Sequence, residues 1–111
     1  MHSGHVVAML IASVSFRAQP HKRGEMLSAV DEMVERMRQA PGCAHCRLLV
    51  DTEDPNAFIL ASEWLSVAPA DAFFASRGFQ TFRGIRILLR DEPVIVLDEV
   101  QSRITRLIHA G

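Results

Sequence analysis

The chain has 111 residues, 49% of them hydrophobic, and its 12 basic and 13 acidic side chains leave a formal net charge of −1. This length predicts one domain over residues 1–111. The balanced charge argues against nucleic acid as a partner, because phosphate binding needs a surplus of clustered cations. The apolar content excludes an intrinsically disordered chain. Because a domain this small buries only about two thirds of its unfolded surface, its apolar side chains need a second protomer, a ligand or a membrane to cover them.

The longest apolar run, from Val6 to Val14, is too short to cross a bilayer, which takes about 20 residues. A signal peptide is an alternative interpretation, but the five residues before the run, MHSGH, contain no Lys or Arg. We therefore expect a buried strand there, a frayed terminus over residues 1–5, and no membrane partner. Two cysteines cannot build a disulfide framework, which favours a cytoplasmic location.

The first half of the chain predicts a strand followed by a helix. Residues 6–17 are mostly small or β-favouring and predict the strand. Pro20 suits the first position of a helix, and Ala40-Pro41-Gly42 ends it. From Glu25 onward, apolar residues recur at spacings of three and four, which indicates one buried helix face: Met26, Leu27, Val30, Met33, Val34 and Met37.

The second half predicts a hairpin, a short helix and a last strand. Strands over 43–51 and 57–65 flank the turn TEDPN and should pair antiparallel. A short helix over 67–76 precedes a less regular stretch, and the last strand begins at Val94. Residues 100–111 form a C-terminal extension that fits either a strand continued across a dimer or a helix.

The order β-α-β-β-α-β predicts a ferredoxin-like α+β fold, a four-stranded antiparallel sheet with both helices on one face. The other face should then be bare. In the first strand, Val6, Ala8, Leu10 and Ala12 alternate with Val7, Met9 and Ile11, so both faces are apolar. An apolar bare face needs a cover, and a second copy of the same face is the simplest one. We therefore predict a homodimer through the sheet faces.

A series of residues resembles the antibiotic biosynthesis monooxygenase (ABM) domain family from about Val6 to Val96. The matching positions are Ala40-Pro41-Gly42-Cys43, Asp51, Asp54-Pro55, Phe58-Ile59-Leu60, Trp64 and Ala75-Ser76-Arg77-Gly78-Phe79. The resemblance implies the dimeric α+β barrel, in which two ferredoxin-like protomers pack sheet to sheet. Characterised members include cofactor-independent monooxygenases that oxidise quinol-like and polycyclic aromatic substrates, and related proteins degrade haem.

The resemblance also implies a substrate cavity between the sheet and the helices. Trp64 matches the family's Trp at the end of the third strand and would line that cavity, with Phe58 and Leu60 on the same face. Aromatic residues of the segment after the third strand would cover the cavity on its other side. The predicted substrate-binding residues are Phe58, Leu60, Ser62, Trp64, Phe73, Phe74, Phe79, Phe82 and Arg86. The alternative is that the aromatic members are simply core.

Several positions depart from the family pattern. Many members have His where this chain has Phe73, Glu where it has Ser62, and quinone-forming members have Asn where it has Leu60. The chain contains no Tyr. These departures remove groups expected for proton transfer in an oxygenase. Haem degradation is disfavoured, because residues 66–90 contain no His to serve as an axial ligand.

The remaining polar candidates are His45 and two arginines. If residue 50 pairs with residue 57, His45 lies opposite Ser62 and faces the Trp64 side; with a shift of one residue, Cys46 takes that place and His45 faces the dimer. Arg83 and Arg86 follow the short helix and could hold an anionic oxygen. The predicted catalytic residues are His45, Trp64 and Arg83.

Cys43 and Cys46 have the spacing of a redox pair or a zinc half-site. On a regular strand, residues three apart point to opposite faces, so the two sulfurs should diverge and no metal is expected.

The sequence thus predicts a cofactor-independent, monooxygenase-like protein acting on a small hydrophobic aromatic or quinol-type molecule. The alternative is a non-catalytic dimer of the same fold that binds a hydrophobic ligand or a partner. The polar groups of the cavity discriminate between the two, because converging polar groups favour chemistry and an entirely apolar lining favours binding.

Overall fold

The hydrophobic pattern of the chain is realised as alternating strands and helices. The computed structural model describes residues 9–108, and the side chains of all of these except 81–83. The strands are β1 (Met9–Arg17), β2 (Cys43–Val50), β3 (Ala57–Trp64) and β4 (Val94–Val100), and the α-helices are α1 (Arg23–Gln39), α2 (Val67–Phe74) and α3 (Arg77–Arg83). Short 3₁₀ segments, Pro20–Lys22 and Gly84–Leu88, precede α1 and follow α3.

The four strands form one antiparallel sheet in the order β2-β3-β1-β4. This order, with helices after β1 and β3, confirms the predicted ferredoxin-like α+β fold. The stretch after α2 that looked irregular in the sequence folds as α3 and the second 3₁₀ segment.

The core lies between one face of the sheet and α1. Alternate residues of β1 and β3 point toward the helices and are buried, as period-two alternation requires. The predicted apolar face of α1 is confirmed: five of its residues are buried, and Leu27 is partly buried. The five are Met26, Val30, Met33, Val34 and Met37.

The opposite face of the sheet is apolar and uncovered in the single chain. Four large aliphatic side chains on it are 40–56% exposed: Leu49, Ile59, Val94 and Val96. We call this surface the open face. These aliphatic side chains agree with the expectation for this face, which they share with the polar Ser13, Arg47, Glu63 and Asp98.

The register of the β2–β3 hairpin decides between the two alternatives left by the sequence. Val50 pairs with Phe58 and Cys46 pairs with Ser62, while His45 lies opposite Glu63. His45 is exposed and shares the face of Glu63, so the second alternative holds and His45 does not lie beside Trp64. A register irregularity between Cys43 and His45 then brings Cys43 opposite Trp64.

A tight turn joins α1 to β2. Gly42 has φ 83°, in the left-handed region that favours glycine. Its carbonyl accepts a hydrogen bond from the Leu65 amide at 2.9 Å, and a Cβ placed on it would lie 2.5 Å from the Pro69 Cβ. The turn therefore fixes the start of β2 against the start of α2.

The described part of the C-terminal extension is not helical in the single chain, and a strand continued across a dimer stays a prediction. Residues 102–108 have no regular secondary structure, and Ile104, Leu107 and Ile108 are 78–97% exposed. Arg103 forms an ion pair with Glu63 at 2.9 Å. The expectations for residues 1–8 and 109–111 lie outside the described residues. None of the helices in the described range is long and apolar enough to cross a membrane.

Candidate functional site

Trp64 is fully buried at the end of β3. Its ring centroid lies 5.6 Å from that of Phe73 and 5.8 Å from that of Phe74, and Phe79 packs edge-on against Phe74 at 4.9 Å. Because α2 places two phenylalanines directly over the indole, these rings fill the space where a substrate was expected. The structure thus places Trp64, Phe73 and Phe74 together in one packed aromatic cluster, and their part in lining a substrate cavity stays a prediction.

The indole N–H of Trp64 has an internal partner. It donates a hydrogen bond to Ser62 Oγ at 2.9 Å, and that hydroxyl lies 3.5 Å from the Ala12 carbonyl oxygen. Ser62 is itself buried. A buried polar group needs such a partner, so Ser62 stabilises the Trp64 position and does not line the site as predicted.

Phe58 and Leu60 also belong to the core. Leu60 is fully buried, and Phe58 stacks on Phe16 with ring centroids 5.7 Å apart. The Arg23 guanidinium covers the Phe58 ring at 5.4 Å. Their shared face with Trp64 is confirmed, and their role in substrate binding stays a prediction.

A cavity of about 310 Å³ lies beside this aromatic cluster, between the helix-facing side of β1 and β4 and the segment that follows α3. Of the predicted binding residues, it contains Phe79 and Arg86. Its lining residues are Val14, Phe79, Arg86, Leu89, Glu92, Pro93 and Ile95. Mostly apolar walls with a few polar groups are typical of small-molecule sites.

An ion pair forms the polar part of the cavity. Arg86 Nε and Nη2 donate to Glu92 Oε1 at 2.9 and 2.8 Å. The hydrogen bond from Arg86 lowers the pKa of the Glu92 carboxyl, and the same bond raises the pKa of Arg86. Both groups are therefore charged at neutral pH. The side chains are 46% and 79% exposed, so solvent screens the pair.

Sequence reasoning missed Glu92 because Asp91-Glu92-Pro93 reads as a break between elements, and loop composition does not reveal what a loop side chain contacts. Val14 and Ile95 are cross-strand partners, and both were explained as ordinary strand residues. The topology offers a signal, since β4 is an edge strand that neighbours only β1 and its helix-facing side chains Ile95 and Leu97 are 44% and 47% exposed.

His45 lies in a separate, shallow depression with Arg38, Cys43, Ala44 and Cys46. The strand irregularity brings both cysteines to the helix-facing side, so the expected divergence of their sulfurs is wrong. Burial, aided by the Cys43 thiol, raises the pKa of the Cys46 thiol to about 11, and burial also raises the pKa of Cys43. Raised thiol pKa values do not fit a redox pair, which needs a thiolate.

No group of three metal-ligating side chains occurs among the described residues. The side chains of Phe82 and Arg83, predicted for the substrate and catalytic sets, lie outside the described residues. The cavity with its Arg86–Glu92 pair is therefore the candidate site that the structure defines.

The fold and cavity define a ferredoxin-like α+β protein with a ligand-sized space between its sheet and its helical layer. The profile of the antibiotic biosynthesis monooxygenase family matches residues 9–84, and the chain belongs to that family. The resemblance inferred from the sequence is thus confirmed.

Solved structures share the fold. The crystal structure of an antibiotic biosynthesis monooxygenase is 28% identical, with a TM-score of 0.76 over 82% of this chain and 97% of that chain. A Pseudomonas aeruginosa protein is 22% identical, with a TM-score of 0.74 over 92% of this chain and 100% of that chain. A conserved protein from Methanosarcina mazei Go1 is 17% identical, with a TM-score of 0.79 over 89% of this chain and 97% of that chain. A search of curated proteins finds no match.

Proposed function

We propose that this protein is a cofactor-independent monooxygenase that binds a small quinol-type aromatic molecule in the Arg86–Glu92 cavity. The observation that carries the proposal is an apolar cavity of about 310 Å³ with one cation and one carboxylate at its polar side. Membership of the family and the likeness to a monooxygenase that is 28% identical support oxygenation as the reaction class.

The chemistry assigns a role to each charged side chain. The Glu92 carboxylate accepts a hydrogen bond from a substrate hydroxyl and orients it, the hydroxyl proton leaves to water at the open side of the cavity, and the Arg86 guanidinium stabilises the oxygen anion that forms. The quinolate transfers an electron to O₂, and recombination at a ring carbon followed by loss of water gives the product. The balanced change is one quinol plus one O₂ to one hydroxyquinone plus one H₂O, so the substrate supplies all the electrons.

The test is oxygen incorporation into a chemically reduced naphthoquinol, added anaerobically and then exposed to ¹⁸O₂. The proposal expects a hydroxyquinone with one ¹⁸O atom, formed faster than in buffer alone. Arg86→Gln should lower kcat/KM about tenfold or more, because it removes the charge that stabilises the anion. Arg106→Gln makes the same charge change in the exposed tail and should leave the rate unchanged. A rate equal to that of buffer would contradict catalysis.

One observation favours the second candidate, a hydrophobic-ligand-binding protein without catalysis. Trp64 is enclosed, and the described lining residues offer no titratable group besides Arg86 and Glu92. In the same experiment, this candidate predicts saturable quinol binding with autoxidation at the buffer rate.

Haem degradation is a third and disfavoured candidate. The segment 66–90 that would supply an axial ligand contains no His. Titration with haem should therefore give no shift of its Soret absorption band.

We also propose that the protein is a homodimer through the open face. Leu49, Ile59, Val94 and Val96 form an aliphatic surface on one side of the sheet, and such a surface favours association in water. A second copy presents the same surface, so a two-fold contact covers both at once.

A further inference from the structure

We infer that Glu92 selects the class of molecule that the cavity accepts, admitting aromatic molecules with a neutral hydroxyl and rejecting aromatic carboxylates. This inference rests on the proposed function, because it concerns the same cavity. It adds a specificity determinant and excludes a broad class of otherwise similar aromatic acids.

The geometry of the ion pair leaves room for a hydroxyl. Both bonds from Arg86 converge on Glu92 Oε1. Among the side chains that the structure describes, none donates a hydrogen bond to Glu92 Oε2. A guanidinium has five N–H groups, and the pair uses two of those of Arg86. A substrate hydroxyl can therefore donate to Oε2 and accept from a remaining Arg86 N–H while the pair stays intact.

A carboxylate has no proton to donate at neutral pH and can only accept. It must take Arg86 from Glu92 or lie beside the Glu92 carboxylate, and the second arrangement places two like charges together. The pair as a unit carries no net charge, so it offers an incoming anion no net attraction.

The surrounding charges reinforce this discrimination. Asp91 adds a second carboxylate near Arg86, close enough to act on its charge. Arg17 partly compensates Asp91 at 3.9 Å, but it lies closer to Asp54, at 2.9 Å. The lining itself thus has one guanidinium and one carboxylate, and Asp91 acts on Arg86 from outside it. This arrangement attracts an anion less than Arg86 alone would and leaves a neutral hydroxyl unaffected.

The apolar walls act equally on both kinds of ligand. Val14, Leu89 and Ile95 contact an aromatic ring whatever its substituent. Discrimination must therefore come from the polar pair. Because that pair is exposed and screened, we expect the preference to be about tenfold, smaller than a buried pair would give.

The experiment compares 1-naphthol with 1-naphthoate, which share a ring system and differ in the polar group. Dissociation constants are measured by calorimetry at neutral pH and low ionic strength for the wild type and for Glu92→Gln. The Gln side chain keeps the shape of Glu and can still accept from Arg86, but it removes the negative charge. Glu32→Gln, on the exposed side of α1, makes the same charge change away from the cavity.

The wild type and Glu32→Gln should bind 1-naphthol about tenfold more tightly than 1-naphthoate. Glu92→Gln should tighten naphthoate binding about tenfold and weaken naphthol binding, so that the preference is lost or reversed. If the wild type binds both ligands and Glu92→Gln leaves their ratio unchanged, the inference is overturned while the proposed binding site stands. If the wild type does not bind 1-naphthol, the proposed function fails together with the inference.

Discussion

At the residue scale, the hydrogen bond from the Trp64 indole to Ser62 Oγ is the clearest structural requirement of the core. Both side chains are buried, so Ser62→Ala leaves the indole N–H without its partner. We expect this change to lower the free energy of unfolding by about 1–3 kcal/mol. Ser66→Ala is the control, because Ser66 is exposed and its side chain makes no capping hydrogen bond. Urea denaturation measures both, and equal stability of the two variants would contradict this role of Ser62.

Gly42 supplies a second residue-scale prediction. Gly42→Ala combines an unfavourable positive φ with a Cβ 2.5 Å from the Pro69 Cβ. The variant should lose more than about 1 kcal/mol of stability. Gly24→Ala lies in α1 with nothing within 4 Å of its new Cβ, and should gain about 0.5–1 kcal/mol. Thermal unfolding of the two variants should therefore shift in opposite directions, and a shift in the same direction would refute the assigned turn.

The Cys46 thiol gives a prediction about pH. Burial raises its pKa to about 11, so its ionisation and its alkylation by iodoacetamide should rise with pH toward a midpoint near 11. The Cys43→Ala variant isolates the Cys46 signal in mass spectrometry; it also removes the smaller contribution of the Cys43 thiol, so its midpoint should lie below that of the wild type but above the ordinary thiol range. Denaturant should restore the ordinary thiol profile. Because the folded pKa exceeds the unfolded one, the contribution of Cys46 to stability is complete below pH 9 and is lost as pH rises toward 11. Rapid labelling of the folded variant near pH 8 would contradict this environment.

At the element scale, the sequence predicted the buried helix face, which depends on periodicity. It did not predict the hairpin register or the strand irregularity beside Cys43. The spacing of Met26, Val30 and Met37 identified the buried face of α1, since a packed helix repeats every 3.6 residues. The hairpin register did not follow from the sequence, because strand residues on both sides of the turn are apolar and either register buries some of them. The irregularity beside Cys43 has no periodic signature.

The limits of periodicity also explain why the position of the cavity did not follow from the sequence. The aromatic residues of α2 were recognised, but periodicity and composition do not tell a filled core from an open cavity. Phe73 and Phe74 occupy the space over Trp64, and the cavity lies instead toward β4. Arg86 was predicted from its chemistry, whereas Glu92 depends on the path of a loop that only the folded chain defines.

At the scale of the whole molecule, the open face governs association. A charge among its aliphatic side chains should break the proposed homodimer, because an unpaired carboxylate buried between two sheets is strongly unfavourable. We therefore expect a dimer for the wild type and a folded monomer for Ile59→Asp in sedimentation velocity. Ile87→Asp is the matched control, since Ile87 is exposed away from the open face and should leave the dimer intact. A wild-type monomer, or a dimer that survives Ile59→Asp, would argue against this interface.

The central claim is that the cavity between β4 and the segment after α3 is the ligand site. The most direct measurement is a methyl NMR titration with 1-naphthol of protein labelled at Ile, Leu and Val. The account predicts saturable shifts at the cavity methyls of Val14, Leu89 and Ile95. The open-face methyls of Leu49, Ile59 and Val96 should stay unchanged. Shifts confined to the open face, or no saturable shift at the cavity methyls, would contradict it.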